Sequence, residues 1–371
     1  MEQEILDKAV SLRHQLHMYP CISEHEQQTK DTLISFLKEN TSLKITDMGK
    51  WFFAEYHPEK STGSIAFRAD MDALKMVETT NLPYKSRNEG AAHKCGHDGH
   101  SASLAAFAVE TARKGCDKDV YFIFQHAEEI GAGGEECAAL LKERNIDEVY
   151  AIHNLPQVKF GALGIREGTI CCASKGMEIK FKGTSAHASQ PEKGRNPAKA
   201  ISRVVLELDR IADPKRYKGL ILATVVQVDL GERAFGISAY EGRLLLTIRG
   251  QNEAEMLSMQ KEIEDFSKKS ACEDGLEVSF SFYEEFPETY DHKESIEKIR
   301  RIAKEKNFPL YEMKDPIRSS EDFGYYTKNT KGAMIWMGAG ENSPALHSND
   351  YDFNDKLIER FNALFDAILR S

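Results

Sequence analysis

The apolar pattern changes rhythm in the middle of the chain, and that change limits the folds open to it. From about 176 to 285 it reads strand (MEIKFKG), helix (Asn196 to Ala212), two strands (LILATVVQV and RLLLTIR), helix (Glu253 to Ser270) and strand (LEVSFSFY). This β-α-β-β-α-β order predicts a ferredoxin-like unit folding as an insertion. Before it, runs dense in branched and aromatic residues, SIAFR (64 to 68), VYFIFQ (120 to 125) and VYAI (149 to 152), alternate with helical stretches at 98 to 114 and 134 to 144. After it come a helix at 293 to 306, the strand AMIWMG (333 to 338) and a terminal helix. In that helix Leu357, Ile358, Phe361, Leu364, Phe365, Ile368 and Leu369 fall on one face. The expectation is an α/β fold: a mixed-sheet domain from 1–175 and 286–371, interrupted by an α+β domain over 176–285.

With 371 residues the chain can supply two cores. Its net charge of −10 offers no basic footprint for nucleic acid or an anionic membrane. Seven cysteines without framework spacing, Cys171 and Cys172 adjacent, point to thiols in a reducing cytoplasm. The opening MEQEILDKAV has no basic segment leading into an apolar core, so no export signal is expected. Apolar runs such as LAAFAV fall far short of a bilayer span.

In open α/β sheets ligands bind beyond the carboxyl ends of the strands. Asp70 and Asp72 follow the first strand, Glu128 and Glu129 the second, and His153 the third. The string AHKCGHDGHSA places Cys95, His97, Asp98 and His100 within six residues, just before a helix. One such residue alone is ordinarily structural, but four together, with two glycines, make Cys95 and His97 candidate ligands for a borderline-soft metal. A redox role for Cys95 lacks the second cysteine of a CxxC pair. A Glu pair is usually a solvated surface feature, yet this one follows an apolar strand that carries it to the crevice. One carboxylate can then bind metal while its neighbour handles a proton. His153 in AIHNLP and His347 in PALHSND sit at the same face. Cys95, His97, Glu129, His153 and His347 together suffice for two divalent ions. Asp72 is assigned to orient a ligating histidine, against the alternative of an acidic loop cap.

RADMDAL, CGHDGH, QHAEE, IHNLP, GTSAHASQPEKGRNP, SSEDF and PALHS follow one another in an order that resembles the aminoacylase and carboxypeptidase metallopeptidase family. The resemblance is greatest to its amidohydrolase branch, which contains hippurate hydrolases, auxin-conjugate hydrolases and N-acetyldiaminopimelate deacetylases. It implies a binuclear site (Zn²⁺ or Mn²⁺, with Co²⁺ or Ni²⁺ as alternatives) that cleaves the amide of an N-acyl amino acid. It also implies a catalytic domain with an inserted lid that often makes homodimers. Carried over by motif, Glu128 is the general base and Asp72 the orienting carboxylate. His187 becomes the oxyanion donor, with Asn196 and Arg318 as holders of the substrate carboxylate. For Asn196 the alternative is a helix cap, and for His187 a polar loop. Lys75, His126 and the segment Gly236 to Ala239 depart from the branch pattern where substrate or lid would be shaped. Two other functions stay open: a dipeptidase or aminopeptidase of the same family, and a non-catalytic metal or ligand binder. The intact Glu128 argues against the binder.

Overall fold

The computed structural model describes residues 1–371. From the N-terminus the chain forms α1 (Gln3–Met18), α2 (Gln27–Asn40), β1 (Lys44–Asp47), β2 (Phe52–Tyr56), β3 (Ser64–Asp70) and α3 (His97–Lys114). β4 (Asp119–Gln125), α4 (Gly134–Glu143), β5 (Glu148–Pro156), β6 (Leu163–Ile165) and β7 (Gly168–Cys171) follow. Next come β8 (Ala173–Lys182), β9 (Ala186–His187), α5 (Ala198–Ile211), β10 (Ile221–Leu230), β11 (Ile237–Ser238), β12 (Glu241–Gly250), α6 (Glu253–Glu273) and β13 (Glu277–Phe286). The chain ends with β14 (Thr289–Asp291), α7 (Lys293–Lys306), β15 (Leu310–Glu312), α8 (Gly324–Thr327), β16 (Lys331–Gly340) and α9 (Lys356–Leu369).

These elements form two compact units. The larger comprises Met1–Ile170, Thr289–Pro316 and Glu321–Ser371, and the smaller Cys171–Glu288 with Ile317–Ser320. The changeovers thus fall at 170/171 and 288/289 instead of 175/176 and 285/286, because β8 begins at Ala173 and β13 runs on to Phe286.

In the larger unit an eight-stranded sheet has the order β1-β2-β4-β3-β5-β16-β6-β15. Its centre, β4-β3-β5-β16, is parallel, whereas β1, β2 and the β16–β6 pair are antiparallel, so the sheet is mixed as expected. Residues 120–125 of β4 are all buried, the pattern of a strand covered on both faces. Helix α3 packs against α1, α9 and β3, and is buried all round from His97 to Thr111. Its run of small residues, Gly99, Ser101, Ala102, Ser103, Ala105, Ala106 and Ala108, lets it lie that deep. The seven apolar residues picked out in the terminal helix are all buried. Helices α1 and α2 were not legible from the repeat pattern, and His153 lies inside β5, not beyond it.

In the smaller unit β10-β12-β8-β13 form a fully antiparallel sheet, the strand order of a ferredoxin-like unit. β12 alternates between a buried and a more open face, and β13 between a half-buried and an exposed one. Met177, Ile179, Phe181, Leu244, Leu246 and Ile248 face Ile201, Val204 and Leu208 of α5 and Met256, Met259 and Ile263 of α6. α5 starts at Ala198, two residues later than the pattern suggested, since the Asn196 side chain accepts the Ala198 N–H at 2.8 Å and so starts the helix.

Candidate metal centre and active site

The site lies at the carboxyl ends of β3, β4 and β5 and the N-terminus of α3. Gly96, just ahead of α3, has φ +103°, and a side chain there would strike Asn154 and Phe353. Glycine therefore lets Cys95 and His97 turn inward on either side of it. After β4, Ala127 takes the left-handed conformation at φ 49°, and the turn closes through the Ala132 N–H to Ala127 O bond. Consecutive residues Glu128 and Glu129 thereby both enter the site.

The five sequence-picked ligands come together. Cys95, His97 and His153 form one group and Cys95, Glu129 and His347 another, each with ligand atoms within 4.8 Å of one another. Cys95 belongs to both. Its Sγ lies 3.5 Å from His153 Nε2, which is about the separation of sulfur and nitrogen ligands on one tetrahedral ion with bonds of about 2.3 and 2.05 Å. His97 Nε2 is 3.7 Å from Glu129 Oε1, and His347 Nε2 is 3.6 Å from Glu129 Oε2. His97 Nε2 and Glu129 Oε1 are buried with no hydrogen-bond partner. Buried polar atoms are nearly always paired. Two orphans, one in each ligand group, fit bound divalent cations.

The supporting contacts fix these side chains. His97 Nδ1 donates to the Asp72 carbonyl at 3.0 Å with Asp72 Oδ1 3.3 Å away, leaving Nε2 as the lone-pair nitrogen. His153 Nδ1 likewise donates to Asn154 O at 2.8 Å. Asp72 accepts from Ser23 Oγ (2.7 Å) and the Glu129 N–H (3.0 Å), so it orients ligands on two sides. His100 is engaged by Asp70 (2.7 Å) and Asn154 (2.5 Å), which removes it from the ligand set.

Charge is crowded here. Burial, then Glu321 and Glu129, hold the Glu128 carboxyl well above its usual range. Glu129 is raised to about 7, chiefly by burial. Burial and Glu129 push the Cys95 thiol up. For His97 burial opposes the charged form, but Asp70 and Cys95 outweigh it and raise its pKa. A bound cation reverses these directions for the carboxylates and the thiol.

Several supporting residues escaped the sequence reading. Arg68, buried, donates to Asp70 (2.6 Å), Gln125 (2.9 Å) and Asp322 (2.9 Å), and stands 3.0 Å from Glu321. A charge inside the apolar run SIAFRAD was the signal, because an arginine is seldom fully buried without partners. Glu321 and Asp322, in the SSEDF motif, form a buried cluster with Glu128. Glu26 accepts the Ala127 N–H at 2.8 Å and thus holds the turn that carries Glu128. It sits in SEHEQQ, a stretch of ordinary surface composition that gave no signal.

His187, Asn196 and Arg318 belong to the smaller unit and are exposed. His187 pairs in register with Ile237, and its Nδ1 meets Ser189 Oγ at 2.7 Å. Asn196 donates to Ser238 Oγ at 3.0 Å in addition to accepting the Ala198 N–H. These two share one end of the unit, against the segment 236–239. Arg318 lies on the separate 317–320 stretch, where its carbonyl accepts from Arg249 at 2.5 Å.

Residues 66–371 match the profile of Peptidase family M20/M25/M40. The chain belongs to that family. It is 31% identical over 373 residues to the hippurate hydrolase of Campylobacter jejuni, covering 96% of this chain and 95% of the relative. It is 28% identical over 360 residues to the N-acetyldiaminopimelate deacetylase of Ligilactobacillus salivarius, covering 92% and 91%. The solved structure of the Bacillus subtilis YXEP protein, described as a dinuclear metal binding peptidase from the M20 family, superposes with a TM-score of 0.84 at 22% identity over 99% of this chain and 98% of that one. As an M20 member the protein is a metal-dependent amide hydrolase. No helix is long and apolar enough to cross a membrane.

Glu26 generates a prediction. Burial, with Asp72 adding to it, raises its pKa from an ordinary 4.5 to about 7. The fold therefore holds a proton there that the unfolded chain releases. The stability this supplies is complete below about pH 4.5 and is lost as the pH rises through about 7. Glu26→Gln keeps an acceptor for the Ala127 N–H and never ionises. Thermal unfolding of the metal-free protein should show the variant more stable than the parent at pH 8, by up to about 3 kcal/mol, and equal to it at pH 4.5. Equal shifts at both pH values would refute the buried-proton account.

Proposed function

We propose that the protein hydrolyses the amide bond of N-acyl amino acids, giving a carboxylic acid and a free amino acid. The observation that carries this is the pair of ligand groups sharing Cys95, with Glu128 beside them and outside both. Cys95, His97 and His153 would hold one divalent ion, and Cys95, Glu129 and His347 the second. Zn²⁺ or Mn²⁺ suits the set, and Co²⁺ or Ni²⁺ is also compatible. When bound, such ions polarise the scissile carbonyl and make water more acidic.

The chain's own groups do the rest. Glu128, enclosed and with its carboxyl held well above the usual range by burial and its acidic neighbours, takes the proton of the attacking water and returns it to the leaving amine. Asp72 keeps His97 in the ligating tautomer. His187 donates to the oxygen that gains charge at the scissile carbon, while Asn196 and Arg318 bind the α-carboxylate. The relatives' names, hippurate hydrolase and N-acetyldiaminopimelate deacetylase, support an acylated amine as substrate. A cytoplasmic location fits seven cysteines that form no disulfide.

Chelation should abolish hydrolysis and a divalent transition metal restore it. Glu128→Gln should lower kcat by ~10²- to 10⁴-fold with metal content unchanged by elemental analysis. The substrate class is tested on N-acetyl, N-benzoyl and long-chain N-acyl amino acids beside dipeptides. A hundredfold preference for dipeptides would replace this reading with a peptidase.

His187→Ala should lower kcat by ~10²-fold or more with KM little changed, since an oxyanion donor acts in the transition state. Asn196→Ala should mainly raise KM, and lose that effect on a substrate whose carboxylate is amidated. A kinetically silent His187→Ala in a folded protein removes the oxyanion role.

The smaller unit also supports a homodimer. β10 is an edge strand with Leu222, Val225, Val226, Val228 and Leu230 exposed, and an uncovered apolar edge is a template for pairing with another chain. Sedimentation should show a dimer at micromolar concentration, and Val226→Lys with Val228→Lys should shift it to monomer. A monomeric parent protein would end this assignment.

A further inference from the structure

Four of the five ligands are set by the sheet ends, the turn after β4 and the start of α3, but His347 rides on an irregular segment and its side chain is 53% exposed. Its backbone is left-handed at φ 62°, a conformation uncommon for a residue with a side chain. Such a ligand needs something to hold its loop in place. Lys94 touches that loop at two points. Its carbonyl accepts the His347 N–H at 2.8 Å, and its Nζ donates to the Tyr351 carbonyl at 2.7 Å. Lys94 is completely buried, a costly position for a lysine. Its charge is met by Glu78 at 2.8 Å, and Glu78 is anchored in turn by the Ser86 N–H at 2.8 Å and by Thr80 and His17. The next residue in the chain is Cys95. One residue thus ties both the His347 turn and its far end to the backbone that carries the shared thiol.

We propose that Lys94 is a positioning residue: it clamps the 347–351 loop so that His347 reaches Cys95 and Glu129, and thereby sets the affinity of the cation position that His347 completes. The Cys95, His97 and His153 group does not depend on the loop, so the clamp acts on one of two ions. This rests on the ligand assignment proposed above, and the test separates the two.

Metal-stripped full-length protein is titrated with Co²⁺ by calorimetry and absorbance. Lys94→Met is combined with Glu78→Gln, so that neither buried charge is left unpaired. The parent should bind two ions. The double variant should bind the first with unchanged affinity and an unchanged thiolate-to-cobalt absorption, and the second at least tenfold more weakly. Hydrogen exchange should rise in the segment 345–351 and not in α3. His347→Ala should show the same loss of the second ion, and adding the Lys94 change to it should cost nothing more.

Two ions bound as tightly by the double variant as by the parent, or unchanged exchange in 345–351, overturns the clamp and leaves the ligand assignment standing. A parent that binds one ion, or a His347→Ala protein that binds two as tightly as the parent, overturns the assignment and the clamp with it. Should the double variant fail to fold, Lys94→Gln takes its place. It is neutral and one bond shorter than lysine, so it loses the charge that meets Glu78 and the reach to Tyr351 O, and it is held to the same outcomes.

Discussion

Glu128 and Glu129 are neighbours in the chain and both are drawn into a region that excludes water. Desolvation and mutual repulsion oppose two carboxylates in such a place, and the unassisted outcome is protonation. The rest of the site is arranged around that cost. On one side Arg68 spreads its donors over Asp70, Gln125 and the 321–322 pair, one cation against three carboxylates, so the charge behind Glu128 is only partly offset within the protein. On the other side no arginine or lysine pairs with Glu129, only imidazoles. There the thiol, three imidazoles and Glu129 point ligand atoms at one another, some without a hydrogen bond. Glu128 thus stands between a partly offset carboxylate cluster and a cation-seeking wall, surroundings that suit the proton transfer proposed for it.

Placing these groups takes more than the sheet. The N-terminal loop reaches the site through Ser23, which donates to Asp72, and through Glu26, which accepts from Ala127. Ile22 and Ala73 form a parallel bridge that ties this loop to the end of β3. α3 brings Cys95 and His97 in only because Gly96 and the small residues behind it allow close approach. Unsupported carboxylates and imidazoles would keep their rotamer freedom. Their second partners remove it before substrate arrives.

The family strings were dense enough to be found without coordinates, since each concentrates several ligand-type residues within a few positions. The ferredoxin-like unit was legible for a different reason: strand and helix repeats differ in period, and their order in the smaller unit admits few topologies. What stayed hidden was held by long-range contacts. Glu26 meets Ala127 across 101 residues and Arg68 meets Asp322 across 254. Nothing in SEHEQQ separates Glu26 from a surface glutamate until the chain is folded.

By itself, then, the sequence determined the mixed α/β plan, the interrupting α+β unit and the identity of the candidate ligands, because local periodicity and side-chain chemistry are written in adjacent residues. Only the tertiary structure decided that Cys95 is common to both ligand groups, that His100 is already spent on Asp70 and Asn154, and that Lys94 meets the His347 loop. Each of those is a choice between partners that one side chain could make. Which partner it meets depends on distances set by the packing of remote segments.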